Sequence, residues 1–127
     1  MESILTSIKK LLGVQEEDIN FDPDITMHIN SVFFILNQLG VGNISGFSII
    51  DKVKVWTDYI PDDANLNVVK SYMYLKVKLL FDPPLSNALI EIIKTQIAEL
   101  EFRIMITVDP KPIVTPIIVN DEEVLTW

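Results

Sequence analysis

The only histidine, His28, lies four residues after Asp24. On a helix that spacing puts an imidazole and a carboxylate on one face, where the acid could orient the ring for proton transfer. Asp22-Pro23-Asp24 supplies a second carboxylate. The chemistry goes no further. A calcium loop needs a turn glycine and a distant bidentate Glu, and neither follows at that spacing. A histidine or thiolate metal centre needs more ligands than one His and no Cys can give. The order of residues suggests no Ser-His-Asp set. Asp22 reads as a helix cap, and His28 as a solvated or interface histidine within reach of an ion pair with Asp24. The expectation is a protein without catalytic residues, metal or cofactor.

Gly40-Val41-Gly42-Asn43-Ile44-Ser45-Gly46 has some of the look of a dinucleotide loop. It is one residue too long, however, and follows a helical pattern where the dinucleotide turn follows a strand. It reads as a turn. Trp56, Asp58 and Tyr59 could form a binding surface, but a lone Trp near a turn is more often a core or interface anchor.

These residues need elements to position them. Ile4, Leu5, Ile8, Leu11 and Leu12 have the spacing of a short amphipathic helix over 3–12, with Gly13 as its stop. A second helix is expected from Asp22-Pro23, capped by Asp22, with Pro23 at a position that loses no hydrogen bond. Ile25, Ile29, Val32, Phe33, Leu36 and Leu39 form its stripe, Phe34 and Ile35 widen it, and Gly40 ends it. A helix this apolar should be buried, in its own core or against another subunit. Residues 40–60 are irregular, with Val53 to Tyr59 as an extended stretch entering a turn. A third helix follows Pro61, capped by Asp62 or Asp63, and runs to about Phe81. Its apolar faces hold Leu66, Val69, Met73 and Leu80, with Val68, Tyr72, Leu75 and Leu79; Lys70, Tyr74 and Lys78 mark a wetter side. A fourth is expected from Pro84 to Arg103, with a seam of Leu85, Leu89, Ile92, Ile93, Gln96, Ile97 and Leu100. Phe-Asp-Pro occurs at both 21–23 and 81–83, as repeated capping chemistry. The fold class is mainly α: a small four-helix, bundle-like domain over 1–103 and an extended, β-prone C-terminal arm over 104–127.

Length and charge narrow the function. The 127 residues suit one domain. A formal net charge of −8 argues against binding nucleic acid by neutralising phosphates. An acid after Met1 and the pair Lys9-Lys10 do not suit a signal peptide, and no apolar run approaches the roughly 20 residues that span a bilayer. The chain reads as made in a reducing cytoplasm without a membrane partner, so Asn43-Ile44-Ser45 is a chance glycosylation match.

The arm is the informative feature. Ile104, Ile106, Thr107 and Val108, then Ile113, Val114, Thr115, Ile117, Ile118 and Val119, form β-branched runs between Pro110, Pro112 and Pro116. Asp121-Glu122-Glu123 and Val124-Leu125-Thr126-Trp127 close the chain. Its 12 apolar side chains are worth ~1.5–3 kcal/mol each when buried. Ordering its 24 residues costs about 1–2 kcal/mol apiece. These sums are similar, so the arm should order only where a partner supplies surface and backbone hydrogen bonds. The other reading is a small sheet completed within the subunit with residues 47–56, which the prolines limit. The arm residues expected to bind a partner are Ile104, Ile106, Val108, Ile113, Val114, Ile117, Ile118, Val119 and Trp127. Candidates for subunit interfaces are Phe33, Phe34, Trp56, Tyr59 and Tyr74.

Several stretches resemble one family. They are the run from Phe21-Asp22-Pro23-Asp24-Ile25 to Phe33, then Gln38-Leu39-Gly40-Val41-Gly42, Gly46-Phe47-Ser48-Ile49, Trp56 and Val69-Lys70. Tyr74-Leu75-Lys76-Val77-Lys78-Leu79-Leu80-Phe81-Asp82-Pro83-Pro84 and Gln96-Ile97-Ala98-Glu99-Leu100-Glu101-Phe102-Arg103 complete them. Together they are similar to head–tail connector (adaptor) proteins of tailed bacteriophages and of prophages of Gram-positive bacteria, over residues 1–103. The resemblance implies a structural part of the virion neck, made in the host bacterial cytoplasm. It implies a homo-oligomeric ring, usually of twelve copies, under the portal protein, through which genome DNA passes without specific binding. A stopper, neck or tail-terminator protein would dock below. In such a channel inward acids would repel DNA; the candidates are Glu16 to Asp18 and Asp62-Asp63. The chain departs from the family pattern after Arg103. Two other readings are a small module binding a host or phage protein through its arm and, least supported, an enzyme using Asp24 and His28.

Overall fold

The computed structural model describes residues 2–108. Among them are four α-helices, α1 (Ile4–Leu12), α2 (Asp22–Gln38), α3 (Ala64–Phe81) and α4 (Asn87–Val108), and a single 3₁₀ turn at Trp56–Asp58. The mainly α fold is as the sequence implies. Ser3 caps α1, its hydroxyl accepting from Thr6 N–H at 3.0 Å. Gly13, at φ 81°, ends α1 in the left-handed conformation that costs glycine little. Asp63 caps α3 by accepting from Asn65 N–H at 2.9 Å.

α3 is central. α2 and α1 pack against it through Ile25, Ile29, Val32, Leu36, Leu66, Met73, Val77 and the α1 stripe Ile4, Leu5 and Ile8. α4 packs on α3 as well, and Tyr72 Oη donates to Glu101 across that seam at 2.7 Å. α2 and α3 run antiparallel: Phe21 at the start of α2 meets Phe81 at the end of α3, edge to face at 5.5 Å. The repeated Phe-Asp-Pro segments thus meet at one end of the bundle.

Several expectations change. Asp22 does not cap α2, whose N-cap position is Phe21 with no side-chain bond; the Asp22 carboxylate turns instead to Lys9. α4 begins at Asn87, not Pro84, and continues past Arg103 to Val108. Ile104, Ile106 and Val108 are therefore helical, not the start of an extended arm, and Ile104 is 3% exposed in the core. The reason is periodicity. The true seam of α4 is Ile93, Ile97, Leu100 and Ile104, whose helical spacing outweighs β-branched propensity, and the first breaker is Pro110. Leu85, Leu89 and Ile92, expected on the seam, are exposed, as is Leu80 on α3. Phe33 and Trp56, expected at subunit interfaces, are 1% and 2% exposed. They belong to an aromatic cluster in which Phe33 touches Phe47, Trp56 and Tyr59 at centroid distances of 4.9, 6.2 and 4.6 Å. Burying these rings pins the irregular 40–60 segment to α2.

Two side chains complete that attachment. Asn30 acts as a surrogate strand: its Nδ2 donates to Ile49 O and its Oδ1 accepts from Ile49 N–H, both at 2.8 Å. Trp56 Nε1 donates to Ser7 Oγ at 2.9 Å, beside a single antiparallel bridge between Ser3 and Val55. An Asn30→Ala variant leaves two backbone groups unpaired at a buried residue and should lose about 2–4 kcal/mol, read as a lower urea midpoint at unchanged slope.

Candidate functional site

The expected Asp24–His28 pair lies at the end of the bundle where α2 begins and α3 ends. Phe21, Asp24, His28, Leu80, Phe81 and Asp82 line a shallow depression there. The structure brings the two residues to one depression but forms no ion pair between them among the described residues. Among those residues no three His, Cys, Asp or Glu side chains stand close enough to hold a metal ion. No described helix is long and apolar enough to cross a membrane.

What the surface does offer is apolar. On α2, Met27 and Phe34 are exposed two helical turns apart, on the side opposite Ile25, Ile29 and Leu36. On α4, Leu89 and Ile92 are about half exposed, beside fully exposed Leu85 in the preceding loop. Farther along α4, Phe102 and Ile106 are also exposed. Of the other expected interface residues, Phe34 is at the surface, while Tyr59 and Tyr74 are half-buried. Of the expected arm residues, Ile106 and Val108 are exposed on α4; Ile113, Val114, Ile117, Ile118, Val119 and Trp127 lie outside the described residues.

Two concavities flank the α3–α4 seam. One, about 310 Å³, is lined by Gly40, Val41, Pro61, Val68, Ile104 and Val108. There Gly40, at φ 93°, comes so close to Val108 that a β-carbon would stand 2.6 Å from its Cγ1. The second, about 500 Å³, lies between α3, α4 and the end of α1, with Leu11, Lys70, Tyr74, Leu75, Leu100 and Arg103 in its wall.

The residue that sequence reasoning missed is Lys9. It is 2% exposed, and its ammonium lies 3.0 Å from Glu16 O, 2.8 Å from Asp18 O and 2.8 Å from Asp22 Oδ1. Among the described residues Asp22 Oδ1 takes no aligned hydrogen bond, so charge holds that contact while the two carbonyls fill the other donors. The signal was present: Lys9 follows Leu5 by four residues and precedes Leu12 by three, which places it on the apolar stripe.

Burial shifts two phenols. Tyr59, whose hydroxyl is buried without a partner among the described residues, and Tyr72 both have pKa values pushed well above the ordinary tyrosine value by desolvation, helped in Tyr72 by the bond to Glu101 and its charge. With the folded pKa raised, the stabilising contribution is complete below pH ~10, where the unfolded phenol is still protonated. It falls as pH rises above that, because the unfolded chain ionises first. Each phenol should cost up to about 1.4 kcal/mol per pH unit there. Urea titrations between pH 9 and 11 should show a steeper loss in the wild type than in Tyr72→Phe; equal slopes would place Tyr72 outside the effect.

Comparisons with curated proteins and with solved structures return no match. A family model described as phage connector protein matches residues 4–111. The match spans all four helices, the aromatic cluster, the Lys9 contact and both concavities, in a surface whose salient features are apolar faces. The chain belongs to the phage connector protein family, structural components of the phage head–tail junction.

Proposed function

We propose that this protein is the subunit of a homo-oligomeric ring that sits under the portal protein, extends the DNA channel and docks the next neck protein. One observation carries the reading: two separate exposed apolar faces, Met27 and Phe34 on α2 and Leu85, Leu89 and Ile92 on α4 and its leading loop, on a body whose own core is complete. Closed rings need such a pair, because a rotationally symmetric contact joins two different faces of each subunit.

The acidic candidates constrain how subunits stand. Glu16 to Asp18 lie by the start of α2, while Asp63 caps the start of α3. With α2 and α3 antiparallel, these groups sit at opposite ends of a helix of 18 residues, about 27 Å apart along its axis. Both can face DNA only if that axis does not point radially from the channel.

The arm is the portal-facing or neighbour-facing connection, adding its β-prone segments as strands. Because α4 runs to Val108, the deletion that tests this must begin at residue 109. A chain ending at Val108 should keep the helical content of the full protein and fail to attach to portal, as seen by electron microscopy of the mixture. Normal rings on portal without the arm would overturn the arm's role; no rings with the full chain would overturn the ring.

A further inference from the structure

We propose that the concavity between α1, α3 and α4 is the seat for the C-terminal end of this same chain, Asp121-Glu122-Glu123-Val124-Leu125-Thr126-Trp127. The cavity joins an apolar wall to unspent positive charge. Leu11, exposed at the end of α1, and the half-buried Tyr74, Leu75 and Leu100 form the wall. Lys70 has no carboxylate partner among the described residues, its ammonium lying 5.8 Å over the Trp56 ring. Arg103 and Glu99 both stand in the same wall, paired at 2.9 Å, so the positive charge left over is that of Lys70. In a chain of net −8, a groove whose lysine lacks a carboxylate is suited to a segment that is acidic at one end and apolar at the other.

Residues 121–127 have that chemistry: three acids, then Val124, Leu125 and Trp127. The volume, about 500 Å³, lies in the range of cavities that enclose drug-sized ligands, enough for a Trp and a Leu side chain. The tether also fits. The described chain ends at Val108, on the same helix as Arg103. Residues 109–120 can span up to roughly 40 Å, more than enough to turn back. A tether of this length holds its end at millimolar effective concentration, far above that of a second copy in dilute solution. In the free subunit the arm's end is therefore docked in cis. The inference rests on the groove and the arm, not on the ring, and is tested on the free subunit.

Tryptophan fluorescence of the full chain reads it directly. Trp56 is buried, so acrylamide quenching reports mainly on Trp127, and a Trp127→Phe chain gives the Trp56 background. The expected result is weak quenching in the wild type, raised severalfold by Lys70→Glu or by Asp121, Glu122 and Glu123 all changed to Gln, and unchanged by Lys70→Arg. Protection should not vary with protein concentration. Trp127 as quenchable as in a free peptide of residues 120–127 overturns the proposal. Protection insensitive to Lys70→Glu, with Arg103→Glu also silent, removes the groove; protection that fades on dilution assigns the end to another copy. Attachment of rings to portal would be untouched by any of these outcomes.

Discussion

Lys9→Ala should lower the unfolding free energy by about 3–5 kcal/mol, the usual cost of breaking a buried charge contact by removing one partner. That is a large share of the ~5–15 kcal/mol that holds a small domain folded. The cause is specific. The substitution strands Asp22 Oδ1 and the carbonyls of Glu16 and Asp18, all of which face the Lys9 ammonium, and opens the space filled by its stem. Lys9→Met keeps most of the stem and should recover part of the loss, which separates packing from charge. The effect also has a location. Residues 15–20 connect α1 to α2, and Lys9 is what fastens them: amide hydrogen exchange at Asp18, whose N–H donates to Gln15 O, should accelerate in Lys9→Met more than exchange in α3. A loss below about 1 kcal/mol, the range of exposed ion pairs, would show that the loop is held by something else.

By contrast, the exposed pairs add little. Lys78–Asp82 and Arg103–Glu99 bridge single helical turns at 3.0 and 2.9 Å, and Lys10–Glu2 pairs at the surface. Such contacts are worth about 0–1 kcal/mol each.

The contrast between Lys9 and Asn30 on one side and the helices on the other explains how far the sequence could be read. The positions of α1, α2 and α3 were legible because each depends on local chemistry: the 3–4 spacing of Ile4 to Leu12, Gly13 as stop, and Asp62 or Asp63 as cap, of which the structure uses Asp63. The turn at 40–46 was legible for the same reason. Lys9 was legible only as a position on the α1 stripe and Asn30 not at all, because their partners lie 7 to 19 residues away and nothing in the local sequence announces them. The last turns of α4 were misread since Ile104, Ile106 and Val108 carry β propensity, which context decides; only the continued Ile97-to-Ile104 spacing pointed to helix. The face that α4 buries was misjudged because the helix is apolar on more than one side, so its sequence fits two orientations and the packing on α3 selects one. That second, unused side is part of the candidate site. Phe33 and Trp56 show the reverse case: aromatic residues that suit an interface were consumed by the subunit's own 40–60 segment.

The unused faces give the other large prediction. Phe34→Glu, and separately the double substitution Leu89→Glu with Ile92→Glu, should each abolish ring formation while leaving the monomer folded. Both sites are exposed, 63% at Phe34 and 51% and 54% at Leu89 and Ile92, so the monomer should change by no more than about 0.5 kcal/mol for each substitution. In the ring the same change removes ~1.5–3 kcal/mol of apolar burial per side chain and puts a carboxylate into a dry contact, at several kcal/mol more. A ring repeats its contact at every subunit, so the cost recurs around it. Mixing the two variants then distinguishes the geometry. If α2 of one subunit meets α4 of the next, a Phe34→Glu subunit still offers an intact α4 face, and a Leu89→Glu/Ile92→Glu subunit an intact α2 face. Each pair retains one good contact, so the mixture should form heterodimers by light scattering and never a closed ring. Wild-type rings from either variant alone would remove these faces from the interface. Heterodimers absent from the mixture, with both variants monomeric, would mean that α2 and α4 do not meet each other but contact separate partners, as a subunit wedged between portal and neck protein would require.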